Sequence, residues 1–271
     1  MVDTPLNDSR WHYKCVVLIL CVVVKSSTTH VVMLAFFVKL HIRGIATLGL
    51  DNYREDMMSR MKVYLIGATS AGRELESIID TIDYERWELI GFLHSYAGES
   101  PLCDKPSDYR ILGSWDSYPL KRNDNCILAI PDIVWKKRAY NFLRDRAKIV
   151  TYVSPLSRIG KFSQVGEGSI LVSTAVLSCN VHIGKMVYIN GGTQIGHDTI
   201  VGDYSTIFSQ VQIGGKCVIG EGVTIGSCAV LRPGVKIGDG ATIGTGSVVI
   251  RNVKPGVTVF GNPAKTISMS E

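Results

Sequence analysis

Between Ile159 and Val249 an aliphatic residue returns at every sixth position. The series runs Ile159, Val165, Leu171, Leu177, Ile183, Ile189, Ile195, Val201, Ile207, Ile213, Ile219, Ile225, Leu231, Ile237, Ile243 and Val249, sixteen repeats without an insertion. Two residues before each stands Ser, Ala, Thr, Val or Cys, and glycine follows the aliphatic residue in ten of the sixteen. A period of six fits neither the 3.6-residue turn of a helix nor the alternation of a long strand, so it predicts short strands broken by regular corners, a β-solenoid. In such a coil the aliphatic side chain points inward and stacks on its neighbours. The small partner packs beside it, and the glycine is expected to permit a tight corner.

Upstream, the pattern changes. Lys62 to Gly67 reads as a buried strand, Gly67-Ala-Thr-Ser-Ala-Gly72 as a tight loop, and Arg73 to Asp83 as a helix. Further strands are expected at Trp87 to Leu93 and Cys126 to Ile130, and a helix around Trp135 to Ala147, giving a small α/β domain with a parallel sheet. Its loop is a poor dinucleotide fingerprint, because Thr69 replaces the second glycine and His94 ends the second strand where an acid would hold a ribose. It is not a Walker loop either, since Arg73-Glu74 follows it. NAD chemistry is disfavoured, whereas loop and helix amides would suit the phosphate of another nucleotide.

The first sixty residues fit neither module. Cys15 to Val24 and Val31 to Val38 are apolar runs too short to span a bilayer, and joining them would bury Lys25 and its polar neighbours at the centre. We expect the folded protein to begin at Met61, with residues 1–60 an accessory extension or a misassigned start; a membrane-associating tail is the alternative. The formal charge of +5 is scattered, without the basic run of a nucleic-acid arm. The seven cysteines show no C-x-x-C pair or zinc spacing and read as reduced thiols, with Cys179 and Cys217 packed inside the repeat. No metal site is expected.

A Rossmann-like module followed by hexapeptide repeats, with Asn190-Gly-Gly-Thr-Gln-Ile-Gly-His197-Asp198 and a terminal Gly261-Asn-Pro-Ala-Lys265, resembles a known family. It is the hexapeptide-repeat sugar O/N-acyltransferases, the sialic acid O-acetyltransferase and nucleotide-aminosugar N-acetyltransferase group, and the likeness covers about residues 61–267. It implies a Rossmann-like sugar- or nucleotide-binding domain over 61–152 and a left-handed parallel β-helix over 153–267. Three hexapeptides then form each triangular coil, so residues 18 apart stack. It also implies a homotrimer with acetyl-CoA as co-substrate in the groove between adjacent helices, and a role in cell-surface polysaccharide biosynthesis; the reduced cysteines are what point to the cytoplasm. The expected reaction is acetylation of the amino group of a nucleotide-linked amino sugar; O-acetylation of sialic acid or a polysaccharide precursor is the alternative.

The family's general base matches His197, and the acid beside it matches Asp198. An attacking amine must lose a proton, and imidazole is suited to take it near neutral pH. Strand alternation would send the two side chains to opposite faces, which weighs against contact between them. Gly215, 18 residues after His197, should stack beside it and offer its N–H to the thioester oxyanion. Ser227, Thr245 and Lys265 are the expected coenzyme contacts, and Gly67, Thr69, Ser70, His94 and Asn190 the expected substrate contacts. His182 matches no motif and reads as structural or surface. The chain departs from the family at Thr206, where many members carry a second histidine, at Ala71, where a histidine is usual, and at His94-Ser95, where acids are usual. A carbonic-anhydrase-like metal site would need three histidines in the repeats, which hold two. A non-catalytic scaffold remains the other class.

Overall fold

A computed structural model describes residues 60–95 and 108–267. The first described module is a five-stranded sheet of β1 (Met61–Ile66), β2 (Trp87–Leu93), β3 (Ile111–Gly113), β4 (Asn125–Leu128) and β5 (Lys148–Ile149), with helices α1 (Ser70–Ile82) and α2 (Ile133–Leu143). Its order is β3-β2-β1-β4-β5 and every pair is parallel. Val63, Leu65, Phe92 and Ile127 are sealed inside, as continuous apolar runs in a parallel sheet should be. Helix α1 begins three residues before its expected start, at Ser70, with Thr69 as N-cap. Strands β3 and β5 were not expected. They hold three and two residues, too few to carry a period.

From Tyr152 to Val249 the chain coils through two-residue strands that fall on three sheets in strict rotation, every pair among them parallel. The first face carries Tyr152–Val153, Ile170–Leu171, Tyr188–Ile189, Thr206–Ile207, Thr224–Ile225 and Thr242–Ile243. The second carries Gln194–Ile195, Gln212–Ile213 and their equivalents, and the third His182–Ile183, Ile200–Val201, Val218–Ile219 and theirs. Partners lie 18 residues apart throughout the repeat, as Tyr188 with Thr206, Gln194 with Gln212 and Ile200 with Val218. The aliphatic positions from Leu171 to Val249 form one buried column together with the small positions Ala175, Val181, Val211, Cys217, Val223, Ala229 and Ala241. Where the small residue is Ser or Thr, its hydroxyl ties coil to coil: Ser205 Oγ donates to the Gly220 carbonyl at 2.9 Å and accepts from the Val223 amide at 3.0 Å. A buried hydroxyl is tolerated because both its roles are filled.

The repeated glycine has a different task from the one expected. The left-handed corner residue comes two positions later, and there the chain mostly uses other residues: Asn180 (φ 56°), Met186 (56°), Asp198 (59°), Tyr204 (60°), Lys216 (61°). The glycine is needed because the next coil leaves no room. A Cβ on Gly196 would stand 2.4 Å from the Gly215 nitrogen, and one on Gly202 would stand 2.5 Å from the Gly220 carbonyl carbon.

The small sheet is anchored to the first coils. Arg86 donates to the Val153 carbonyl at 2.8 Å and lies over the rings of Trp87 and Tyr152, and Tyr140 donates to Glu167 at 2.9 Å. Among the described residues no helix is long and apolar enough to cross a membrane. The expectations for residues 1–60, all but the last of them, and for Cys15, Cys21 and Cys103 fall outside the described residues.

Candidate functional site

His197 and Asp198 are not strand residues. They form the corner between Gln194–Ile195 and Ile200–Val201, and Asp198 takes the left-handed conformation at φ 59°. That reversal turns its carboxylate back toward its neighbour, and His197 Nδ1 lies 2.7 Å from Asp198 Oδ2. Strand alternation therefore gave the wrong expectation, because the chain is not extended here. The Asp198 carboxyl is held below the usual carboxylate range, first by the hydrogen bond from His197 and then by one from Asn180. An ionised carboxylate only accepts, so Nδ1 donates to it, and in the neutral ring Nε2 is then the nitrogen with the lone pair. The ring is half exposed, 53% by side chain.

Gly215 stacks directly beneath this ring. A Cβ there would come 2.7 Å from His197 Nε2, 2.9 Å from Cε1 and 3.0 Å from Cδ2. The absence of a side chain is what lets the imidazole lie flat over the next coil. The Lys216 amide fixes the step by donating to the His197 carbonyl at 2.7 Å.

A groove follows a different edge of the solenoid, between the first and second faces. It is lined by Phe208, Thr224, Gly226, Ser227, Thr242, Gly244 and Thr245, so Ser227 and Thr245 lie together in it. Phe260 packs its ring where a Cβ of Gly244 would stand, and Lys265 pairs with Phe260 in the closing antiparallel strands. Asn190 lies on the same edge toward the small sheet, where its amide caps the Gly191 N–H at 2.6 Å and reaches Glu74 of α1 at 3.5 Å. The structure thus gathers Asn190, Ser227 and Thr245 on one edge and leaves His197, Asp198 and Gly215 on another.

The remaining expected residues meet at the start of α1. Gly67 is left-handed at φ 106°, and its carbonyl lies where a Cβ of Gly72 would be, at 2.1 Å. Thr69 Oγ1 is buried without a hydrogen-bond partner, and exposed Ser70 follows it as the first helical residue. His94 Nδ1 accepts from the Ala68 amide at 3.2 Å, and burial lowers its pKa, so its ring is neutral. A larger cleft runs along the outer side of α1, past Arg73, Glu74, Asp80 and Asp108, and does not touch His197. His182 is exposed on the third face.

Cys217 is packed as expected, with its pKa raised by burial, but Cys179 is exposed: it occupies the corner one coil before His197, not an inward position. Two residues escaped the sequence reading. Asp116 accepts from Ser114 at 2.5 Å and from Ser95 at 3.2 Å, so a carboxylate from a distant turn stands beside the second strand's end. Lys136 is 1% exposed and donates to Thr206 Oγ1 at 2.9 Å and to the Ser205 carbonyl at 3.3 Å. Burial lowers its pKa to about 7 against the pull of Asp132. Its spacing with Ala139, Tyr140 and Leu143 marks one helix face and was the signal available.

Comparison with known proteins agrees with this architecture. The family described as bacterial transferase hexapeptide (six repeats) matches residues 198–233 and 216–251. No curated protein sequence matches the chain. Among solved structures, the acetyltransferase domain of PglB from Neisseria gonorrhoeae FA1090, in complex with acetyl coenzyme A, is 22% identical with a TM-score of 0.68, covering 77% of this chain and 100% of that one. WeeI from Acinetobacter baumannii AYE is 26% identical with a TM-score of 0.64, covering 76% and 100%. PerB from Caulobacter crescentus, in complex with CoA and GDP-perosamine, is 20% identical with a TM-score of 0.58, covering 76% and 97%. The chain is therefore a hexapeptide-repeat β-helix protein with the fold of PglB's acetyltransferase domain, WeeI and PerB.

Proposed function

We propose that this protein transfers the acetyl group of acetyl-CoA to the amino group of a nucleotide-linked amino sugar. The observation that carries the reading is the His197–Asp198 pair at 2.7 Å, with its base nitrogen lying over a residue that has no side chain. In this reading the sugar amine attacks the thioester carbonyl and gives its proton to His197 Nε2. The oxyanion is received by the Gly215 N–H, the carbon–sulfur bond breaks, and coenzyme A leaves as the thiol once the proton is passed to sulfur. Asp198 keeps Nδ1 protonated and steadies the imidazolium. Ser227 and Thr245 line the coenzyme groove, with Lys265 toward its phosphates.

The small parallel-sheet module, residues 61–152, is in this reading a Rossmann-like sugar-nucleotide domain, and residues 153–267 are a left-handed β-helix. Gly67, Thr69, Ser70 and His94 would meet the nucleotide, and Asn190 the sugar; the buried, unpartnered Thr69 hydroxyl at a helix N-terminus supports this. The base and the groove occupy different edges, which supports a homotrimer in which one copy's His197 faces another copy's Ser227. The CoA and GDP-perosamine held by PerB support the substrate class. Free thiols at Cys126, Cys179, Cys217 and Cys228 fit a cytoplasmic site of action.

The test is thiol release from acetyl-CoA by the full chain with a panel of nucleotide amino sugars and free sialic acids, beside His197→Ala. Turnover with an amino sugar, lost in a folded His197→Ala protein, is expected. Turnover with sialic acid alone would move the reaction to oxygen, and failure to bind acetyl-CoA would leave a scaffold.

A further inference from the structure

The left-handed corner position forms a ladder along the edge that holds His197. Asn180, Asp198 and Lys216 occupy it in consecutive coils, at φ 56°, 59° and 61°. Each backbone N–H binds the coil before it: Asn180 to the Lys161 carbonyl at 3.1 Å, Asp198 to Cys179 at 3.2 Å and Lys216 to His197 at 2.7 Å. With coils about 4.8 Å apart, successive side chains on this ladder are neighbours. Asn180 Nδ2 donates to Asp198 Oδ1 at 3.1 Å, while Asp198 Oδ2 faces His197 Nδ1 at 2.7 Å. The carboxylate is therefore gripped on both oxygens. On its other side stands Lys216, whose charge also acts on Asp198.

We propose that Asn180 is a positioning residue for the proposed acetyl transfer: by holding Oδ1 it turns Oδ2 of Asp198 onto His197 Nδ1 and keeps Nε2 as the basic nitrogen. Its catalytic consequence rests on the reading of His197 as the base. Asparagine suits the place on two counts. It accepts a left-handed backbone more readily than most residues, and its amide donates without bringing a positive charge that would oppose protonation of the imidazole. Without that grip the carboxylate is free to rotate toward the Lys216 ammonium.

Conformation and hydrogen bond can be separated by Asn180→Gly, because glycine keeps φ near 56° without strain and removes only the amide. Asn180→Asp keeps the shape but, ionised, cannot donate and sets a like charge against Asp198. The full chain, labelled with 15N at histidine, reports the His197 tautomer directly at a pH where the ring is neutral. The wild type is expected to show Nδ1–H alone, and both variants a mixture with Nε2–H. Turnover should fall about tenfold in Asn180→Gly and further in Asn180→Asp, with KM for acetyl-CoA and the melting temperature of Asn180→Gly unchanged. A single Nδ1–H tautomer in both variants overturns the proposal, whatever happens to turnover. Tautomer mixing in a protein whose wild type releases no thiol would uphold the positioning of His197 and refute only the base assignment.

Discussion

Replacing Gly215 by alanine should abolish most of the activity and almost none of the stability. Gly215 is outside the left-handed region, so alanine meets no backbone strain there. The new Cβ would stand 2.7 Å from His197 Nε2, where carbon-to-atom contacts normally settle near 3.5 Å or beyond. The ring must yield by roughly 0.8 Å, and it can, since half of it faces solvent. Yielding either opens the 2.7 Å contact with Asp198 or carries Nε2 away from the coil, and the methyl group covers the base nitrogen in both cases. Displacement of a catalytic group by about 1 Å costs on the order of 10²-fold, equivalent to about 2.7 kcal/mol of barrier. Because the ring swings outward, the unfolding free energy should change by less than about 1 kcal/mol. Initial rates of thiol release at saturating acetyl-CoA, with a urea melt of the same sample, measure both. Gly196→Ala is the control: its Cβ meets backbone nitrogen at 2.4 Å, so it should lose stability instead. Gly215→Ala turning over within twofold of wild type would refute the placement of the reaction above Gly215.

Truncating Ile207, fully buried in the column of aliphatic residues, to alanine should cost about 2–5 kcal/mol in a urea melt. Lys136 binds its proton in the unfolded chain up to a pH of about 10, but in the fold it releases it near about 7. The unfolded state holds more protons between those values, so stability should rise with pH across that window and be lowest below it, and Lys136→Met should flatten the slope. If the reacting site joins two copies, mixing inactive His197→Ala with inactive Ser227→Trp should restore activity at about a quarter of sites in randomly mixed assemblies. No recovery in confirmed mixed assemblies would put both edges to use within one chain.

The solenoid was legible because its information is local and repeated. An aliphatic residue every sixth position, with a small one two places earlier, is the same packing requirement written sixteen times, and the short strands and inward columns follow it, while the 18-residue register came from the family resemblance. The motif likewise pointed to His197, and the coil length to Gly215 beneath it. The corners were another matter. Whether Asp198 meets His197 depends on the sign of one φ angle, which Asp, Asn, Met and Tyr adopt here without a glycine to announce it. The same uncertainty put Cys179 inside the repeat when it stands outside. Lys136 stands beside Lys137 and Arg138 with nothing in residue type to set it apart, and only the packing of α2 on Thr206 buries it. Sequence patterning decides which side chains leave water, because burial repeats with the backbone's own period. Only the tertiary structure decides which of them meet, since corner conformations and contacts between modules join residues that no period relates.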